Sequence, residues 1–244
     1  TENQALALSL RVLDTDDFYQ FNEKQIFYPA SLIKLFAAFM AQDILKASSL
    51  DEFTVNDLAV AIKNSLLESD NDALSLVYDF ISNSSSGLYQ KQNFKDFAQA
   101  RNTITEYFRA KYFSEELALH NKCYSFAPYG RDLKLFLEQG SNQVLLSDIE
   151  KIMTLIIEKE QGLLEFMQRD GSCKQSEFIY QGLNKWDLDF FYSKAGWTSS
   201  VRHDVAYFSI KGRKYLFVIL TKGLSEKEDL IPKLASLVDF EALS

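Results

Sequence analysis

The sequence predicts an α+β protein, an antiparallel sheet assembled from both ends of the chain with a helical region inserted between them. Residues 4–12, Gln-Ala-Leu-Ala-Leu-Ser-Leu-Arg-Val, alternate with the period of a strand, and two further strand-like runs at 205–210 and 215–220 stand near the other end. Helical periodicity dominates the middle of the chain. No internal repeat or low-complexity linker divides the 244 residues. A single folded unit is therefore expected, with its sheet region at about 1–30 and 188–244 and its helical region at about 31–187.

Taken in order, Asp14-Thr15-Asp16-Asp17 is a turn between the first strand and residues 18–21, so a hairpin leads toward Pro29. A helix follows from about Ala30 or Ser31 to about Lys46. A second opens at Thr54, where Thr-Val-Asn-Asp reads as a capping box ahead of Leu58, Ile62 and Leu66. It breaks at Glu68-Ser69-Asp70-Asn71, and a third runs over about 72–81. Residues 93–120 mix aromatic and charged side chains and are helix-prone in places, with no element boundaries set by the pattern. Helices are expected from Pro128-Tyr129-Gly130-Arg131-Asp132 through Leu137 and over 147–160. Then come a strand at 190–194, a hairpin around Lys211-Gly212-Arg213, and a closing helix over 225–240.

Composition narrows the function. Apolar residues make up 47% of the chain, as in a globular protein, and the net charge of -8 disfavours a nucleic-acid partner, which wants a basic face. No apolar run reaches the length of a membrane span, and Thr1 opens onto polar residues without a signal core, so the chain reads as soluble and already processed. Cys123 and Cys173 permit at most one disulfide and read as ordinary thiols. Without Cys-x-x-Cys or clustered histidines there is no metal-site spacing.

Chemistry enters at Tyr28-Pro29-Ala30-Ser31-Leu32-Ile33-Lys34. Pro29 holds Tyr28 extended and suits the first position of a helix, which places Ser31 at the helix mouth. From Leu32 to Met40 only Lys34 is not apolar, and a helix apolar all round belongs in a core. Ser31 and Lys34, three apart, share a helical face. A buried lysine loses proton affinity, and a neutral amine beside a hydroxyl makes a nucleophile; a lysine that snorkels to solvent would do neither. Ser69-Asp70-Asn71 offers either helix caps or side chains for a cleft. Lys194-Ala195-Gly196-Trp197 is either a plain edge strand entering a turn or a strand whose glycine lets another group approach the backbone.

In this order the three segments resemble the serine β-lactamase and penicillin-binding protein superfamily, whose signature set is S-x-x-K, S-D-N and K-T-G. The chain looks most like the class A β-lactamase-like serine hydrolases, by Ser-Asp-Asn-Asp-Ala and by Gly-Trp-Thr-Ser-Ser-Val-Arg-His-Asp-Val-Ala. The resemblance implies a serine β-lactamase/DD-peptidase-like fold and an acyl-enzyme on Ser31, formed from a β-lactam or a related amide or ester. It implies Lys34 as base or relay, Ser69 as proton shuttle to the leaving nitrogen, and Asn71 as holder of the substrate amide. Lys194 would support Ser69 and attract a substrate carboxylate. Gly196 and the amide of Trp197 would complete, with the Ser31 amide, an oxyanion hole. Arg202 stands where relatives carry a carboxylate-binding arginine, or is a surface residue.

Two positions depart from the pattern. Ala195 replaces a hydroxyl residue that helps bind the carboxylate. For the deacylating glutamate of E-x-x-L-N the chain offers Glu116-Leu117-Ala118-Leu119-His120, with Glu106 as a weaker candidate and a solvated helix face as the other reading of Ser114-Glu115-Glu116. No cofactor is implied. The partner is a small-molecule or peptide substrate of the β-lactam or cell-wall class, and the location is secreted or cell-envelope. A D,D-peptidase-like penicillin-binding protein and a weakly active scaffold that binds cell-wall peptide are the alternatives.

Overall fold

The computed structural model describes residues 4–15, 17–125, 127–159, 162–172 and 177–243. The chain divides into two compact units, one built from residues up to 32, 145–155 and 167 onward, the other from 33–144 and 156–166.

The first unit holds the sheet. Strands β1 (Ala5–Val12), β2 (Phe18–Phe21), β3 (Leu188–Trp197), β4 (Arg202–Ile210) and β5 (Arg213–Lys222) are all antiparallel, in the order β2-β1-β5-β4-β3. The sheet is thus assembled from both ends of the chain, and β1 lies directly beside β5. One face packs with the short helices α7 (Phe178–Gly182) and α8 (Leu230–Ser236), through Phe191, Ala195, Ala206, Phe208, Phe217 and Ile231 among others. The predicted closing helix at 225–240 is shorter than expected. Pro232 lacks the donor an interior turn needs and is tolerated only near a start, while Asp239 accepts from the amides of Glu241 and Ala242 and turns the chain past the end.

The second unit is helical. Helix α1 (Ile33–Ala47) follows without a break from a 3-10 turn at Ala30–Leu32, and every residue from Ile33 to Ala41 is buried. Phe36, Phe108 and Phe113 pack edge to face around it. Helices α2 (Glu52–Leu67), α3 (Asn71–Ile81), α4 (Lys91–Arg109) and α5 (Gly130–Gln139) complete the unit, and α6 (Leu146–Lys159) passes from one unit to the other.

One sequence expectation is corrected here, and one open stretch gains its element. Helix α2 opens at Glu52, with Asp51 as its cap: the Asp51 carboxylate accepts from the Thr54 amide at 3.0 Å and from the Thr54 hydroxyl at 2.6 Å. Thr54 is therefore inside the first turn, because a carboxylate caps as well as a hydroxyl and also favours the positive end of the helix dipole. The 93–120 stretch contains the longest helix, α4, whose buried stripe runs Phe97, Arg101, Ile104, Thr105 and Phe108. A fully buried arginine interrupts the apolar period there. Arg101 is held by Asp79 at 2.7 Å, the Ser82 hydroxyl at 2.7 Å and the Tyr78 carbonyl at 3.2 Å.

The cap assignment makes a prediction. Asp51→Ala should lower the urea-derived stability by about 1 kcal/mol, whereas Thr54→Val, which keeps the capped amide, should cost clearly less. A larger loss for Thr54→Val would restore the capping box read from the sequence.

Candidate active site

In the first unit, the segment entering Ser31 is pinned by a histidine. Buried His203 on β4 accepts the Thr221 amide on Nδ1 at 3.1 Å, which leaves Nε2 to donate to the Tyr28 carbonyl at 2.8 Å. Burial holds its imidazole down at a pKa of about 4, so it stays neutral and keeps this tautomer. Ala30, the residue before Ser31, has φ +47, a left-handed conformation that a residue with a Cβ adopts at a cost of about 1 kcal/mol or more. The 3-10 turn then starts with the Leu32 amide bonded to the Pro29 carbonyl at 3.1 Å.

Gly196 of β3 lies against that turn. A Cβ at Gly196 would stand 2.9 Å from the Ser31 nitrogen, 3.0 Å from the Leu32 nitrogen and 3.0 Å from the Pro29 oxygen, so only glycine lets strand and turn backbones meet this closely. Trp197 is the next residue and the last of the strand. Lys194 is buried at 3% exposure, and its Nζ donates to the Ala195 carbonyl at 3.0 Å.

Strand alternation separates the other residues. Gly196 pairs with His203, while Ala195 pairs with Asp204 and Trp197 with Arg202, so Ala195 and Arg202 share the face opposite to Lys194 and Gly196. Ala195 is packed into the core on that face. Arg202 stacks over Phe178 at 4.8 Å and meets Glu228 at 3.4 Å. Asp204, fully buried, accepts the Ile179 amide at 2.8 Å on one oxygen and has no hydrogen bond on the other among the described residues. Burial raises its pKa to about 7, against the opposing pull of that amide and of the Lys194 charge.

In the second unit Lys34 is the centre. It is fully buried, and its Nζ donates to the Ser69 carbonyl, to the Ser69 hydroxyl at 3.1 Å and to Asn71 Oδ1 at 2.7 Å. Asn71 then donates through Nδ2 to the Tyr124 carbonyl at 3.3 Å. The break between α2 and α3 presents these groups: Ser69 takes φ +57, and Asp70 caps α3 by accepting the amides of Asp72 and Ala73. So of Ser69-Asp70-Asn71 the middle residue is the cap, and the outer two turn to Lys34. Burial lowers the Lys34 pKa to about 8, while Cys123 and Asp70 oppose the shift.

The remaining expectations are placed as follows. Glu116 and Glu115 are exposed on a turn after α4, and no hydrogen bond or ion pair of Glu116 is found among the described residues; Glu106 is exposed on α4. Cys123 is buried, and Cys173 lies outside the described residues. Among the described residues no helix is long and apolar enough to cross a membrane. Sequence reasoning gave no role to His203 or Asp204, although both stand in the quoted run after Trp197. A histidine followed by a carboxylate within an apolar strand was the available signal.

The model of the beta-lactamase enzyme family matches residues 44–239. Among solved structures, the chain is similar to a beta-lactamase from Burkholderia ambifaria, at 13% identity and a TM-score of 0.66, covering 100% of this chain and 96% of that one. It is similar to PBP-A at 17% identity and a TM-score of 0.66, covering 100% and 91%. A mutant of PBP-A solved as an acyl-enzyme complex with penicillin G matches at 16% identity and a TM-score of 0.66, covering 99% and 90%. No curated protein matches.

The Lys34 geometry makes a prediction about stability. A lysine whose folded pKa is about 8 against 10.5 unfolded binds fewer protons folded than unfolded between those values, so stability rises with pH across that window. The stability of Lys34→Met relative to wild type should therefore fall by about 3 kcal/mol between pH 8 and pH 10.5, measured by urea unfolding. A difference independent of pH would mean that Lys34 is an ordinary lysine.

Proposed function

Since the chain belongs to the beta-lactamase enzyme family, and so to the serine β-lactamase and penicillin-binding protein superfamily, we propose that it is a serine hydrolase that forms an acyl-enzyme on Ser31. The observation that carries this is Lys34, buried in an apolar helix and hydrogen-bonded to Ser69 and Asn71, three residues along the same helical run from Ser31. With a pKa of about 8, roughly a tenth of Lys34 is neutral at pH 7, enough to serve as a base whose protonation is matched to its working range.

In this reading Ser31 Oγ attacks the carbonyl carbon of a β-lactam or related amide as its proton passes to the Lys34 amine. Charge then develops on the carbonyl oxygen, where the amides of Ser31 and Trp197 meet it. The C–N bond breaks as the Ser69 hydroxyl gives its proton to the leaving nitrogen and is replenished from Lys34. Asn71, with Oδ1 fixed by Lys34, offers its amide N–H to the acyl side of the substrate. Lys194 provides positive charge for a substrate carboxylate. Arg202 is a weaker carboxylate ligand on this reading, because it lies on the other sheet face beside Glu228. The substrate is a β-lactam or a cell-wall peptide, and the place of action is outside the cytoplasm.

Deacylation separates working β-lactamase from D,D-peptidase-like protein. The exposed position of Glu116 favours the second, because a base that activates water must be fixed beside the ester. Two measurements test the proposal. Intact mass after incubation with benzylpenicillin should show one adduct, absent in Ser31→Ala, forming faster as pH rises with a midpoint near 8. Label retained in Ser31→Ala would remove Ser31 from the chemistry. With a chromogenic cephalosporin, a burst of about one equivalent should precede little steady release. Fast linear turnover that disappears in Glu116→Gln would instead make this a β-lactamase with Glu116 as its base.

A further inference from the structure

Helix α5 has two faces that carry apolar side chains, and the second unit covers one of them. Asp132 and Leu135 turn inward and are buried. Tyr129, Leu133, Phe136 and Leu137, spaced i, i+4, i+7 and i+8, form another stripe over about 100° of the helix circumference. All four face solvent, from 39% exposed at Leu133 to 69% at Leu137. Leu88 and Tyr89 extend this surface, at 79% and 43% exposure. The Arg131 amide donates to the Gly87 carbonyl at 3.0 Å, and a Cβ at Gly130 would stand 3.2 Å from Leu88 Cα, so this segment lies along the start of the helix.

Size argues that the surface is covered by a macromolecule. Together the six side chains expose the equivalent of about three whole ones, or roughly 500–800 Å² at about 150–250 Å² for each large side chain. The largest apolar patch on a typical monomer is about 300–600 Å². Two copies joined about a two-fold axis, the same patch on each, would bury about 1,000–1,600 Å² in total, which reaches the size of a specific interface.

Charge selects the occupant. The chain carries a net charge of -8, so acidic faces of two copies repel. Helix α5 is neutral, Arg131 and Lys134 balancing Asp132 and Glu138, and no charged residue interrupts the stripe. A membrane surface would want Lys or Arg beside the apolar face. Arg131 instead turns to the Ser85 carbonyl and the Phe97 ring, and Lys134 is paired with Glu138 at 2.9 Å. A strongly charged partner would likewise meet no net charge here. A second copy of the same neutral, apolar face satisfies both conditions.

We propose that the α5 face is the interface of a symmetric dimer, its occupant a second copy of this chain. Tyr129, Leu133, Phe136 and Leu137 pack on their counterparts at its centre, and Leu88 and Tyr89 close one side.

Sedimentation velocity on the full chain tests this. Between about 1 and 100 µM the chain should pass from a 28.0 kDa monomer to a species of twice that mass. Leu137→Glu and Leu88→Glu, at well-exposed positions and checked for folding by circular dichroism, should each weaken association at least about tenfold. Phe21→Glu, which alters an exposed aromatic on the edge strand β2, should leave association unchanged. A chain that stays monomeric at the upper concentration overturns the proposal. So does a dimer that survives Leu137→Glu, and its loss in Phe21→Glu would place the contact on the sheet edge. If the chain stays monomeric, flotation with vesicles of anionic phospholipid, abolished in Leu137→Glu, would assign the face to a lipid surface instead.

Discussion

The hydrogen-bonded burial of Lys34 is the interaction on which the rest depends. A helix whose first nine residues are all buried would have no use for a cation, and Lys34 is tolerated because its Nζ meets three acceptors that two neighbouring residues supply. Those acceptors are available only because the chain stops between α2 and α3 and takes a left-handed turn at Ser69, which exposes a backbone carbonyl beside a hydroxyl. Asp70 makes the stop stable by capping α3, so one tripeptide both ends the gap and fills it. Burial, cap and strained turn are thus parts of one arrangement, and removing the acceptors at Ser69 or Asn71 leaves the buried Lys34 ammonium short of partners.

The sequence made the parts with strong local signals legible. The β1 alternation, the β4–β5 hairpin and the apolar α1 each carry a pattern that tertiary structure reinforces, and the three motif segments were visible by residue type. What escaped notice was set by long-range partners. Helix α4 was obscured because Arg101 occupies a core position, acceptable only through Asp79 and Ser82, which lie far away in sequence. The cap of α2 was misplaced because Asp51 and Thr54 satisfy the same rule and only geometry chooses between them. The faces on which Ala195 and Arg202 lie follow from the register with β4, and residue spacing alone does not fix which face turns toward the helices.

Two of the six non-glycine residues with left-handed backbone among the described residues stand at candidate site segments, the other four being Asn22, Asn83, Tyr112 and Lys211. Ala30 and Ser69 both hold left-handed conformations without being glycine, one just before Ser31 and the other within the Ser-Asp-Asn segment. Gly196, in contrast, is the residue whose missing Cβ the close approach requires. Strain of this kind persists where the surroundings over-determine it: within the first unit His203 clamps the Tyr28 carbonyl ahead of Ala30, and within the second Lys34 and the Asp70 cap hold the turn at Ser69.

Three buried ionisable groups extend this argument to pH. His203, lowered from 6.5 to about 4, favours the folded state above that range and withdraws its support as pH falls through it. Asp204, raised from 3.8 to about 7, does the reverse: the folded state binds the extra proton, so its contribution is lost as pH rises toward 7. Lys34, lowered from 10.5 to about 8, restores stability only as pH climbs from 8 upward. Taken together, Asp204 and Lys34 impose their full costs between about pH 7 and 8, the interval in which Lys34 begins to supply a neutral amine. A protein shaped for stability alone would place apolar residues at both positions, as isosteric replacement of buried charge commonly stabilises. Lys34 is kept nonetheless, bonded to the Ser-Asp-Asn segment, while Asp204 lies with Ala195 on the core-packed face of the sheet, opposite Lys194.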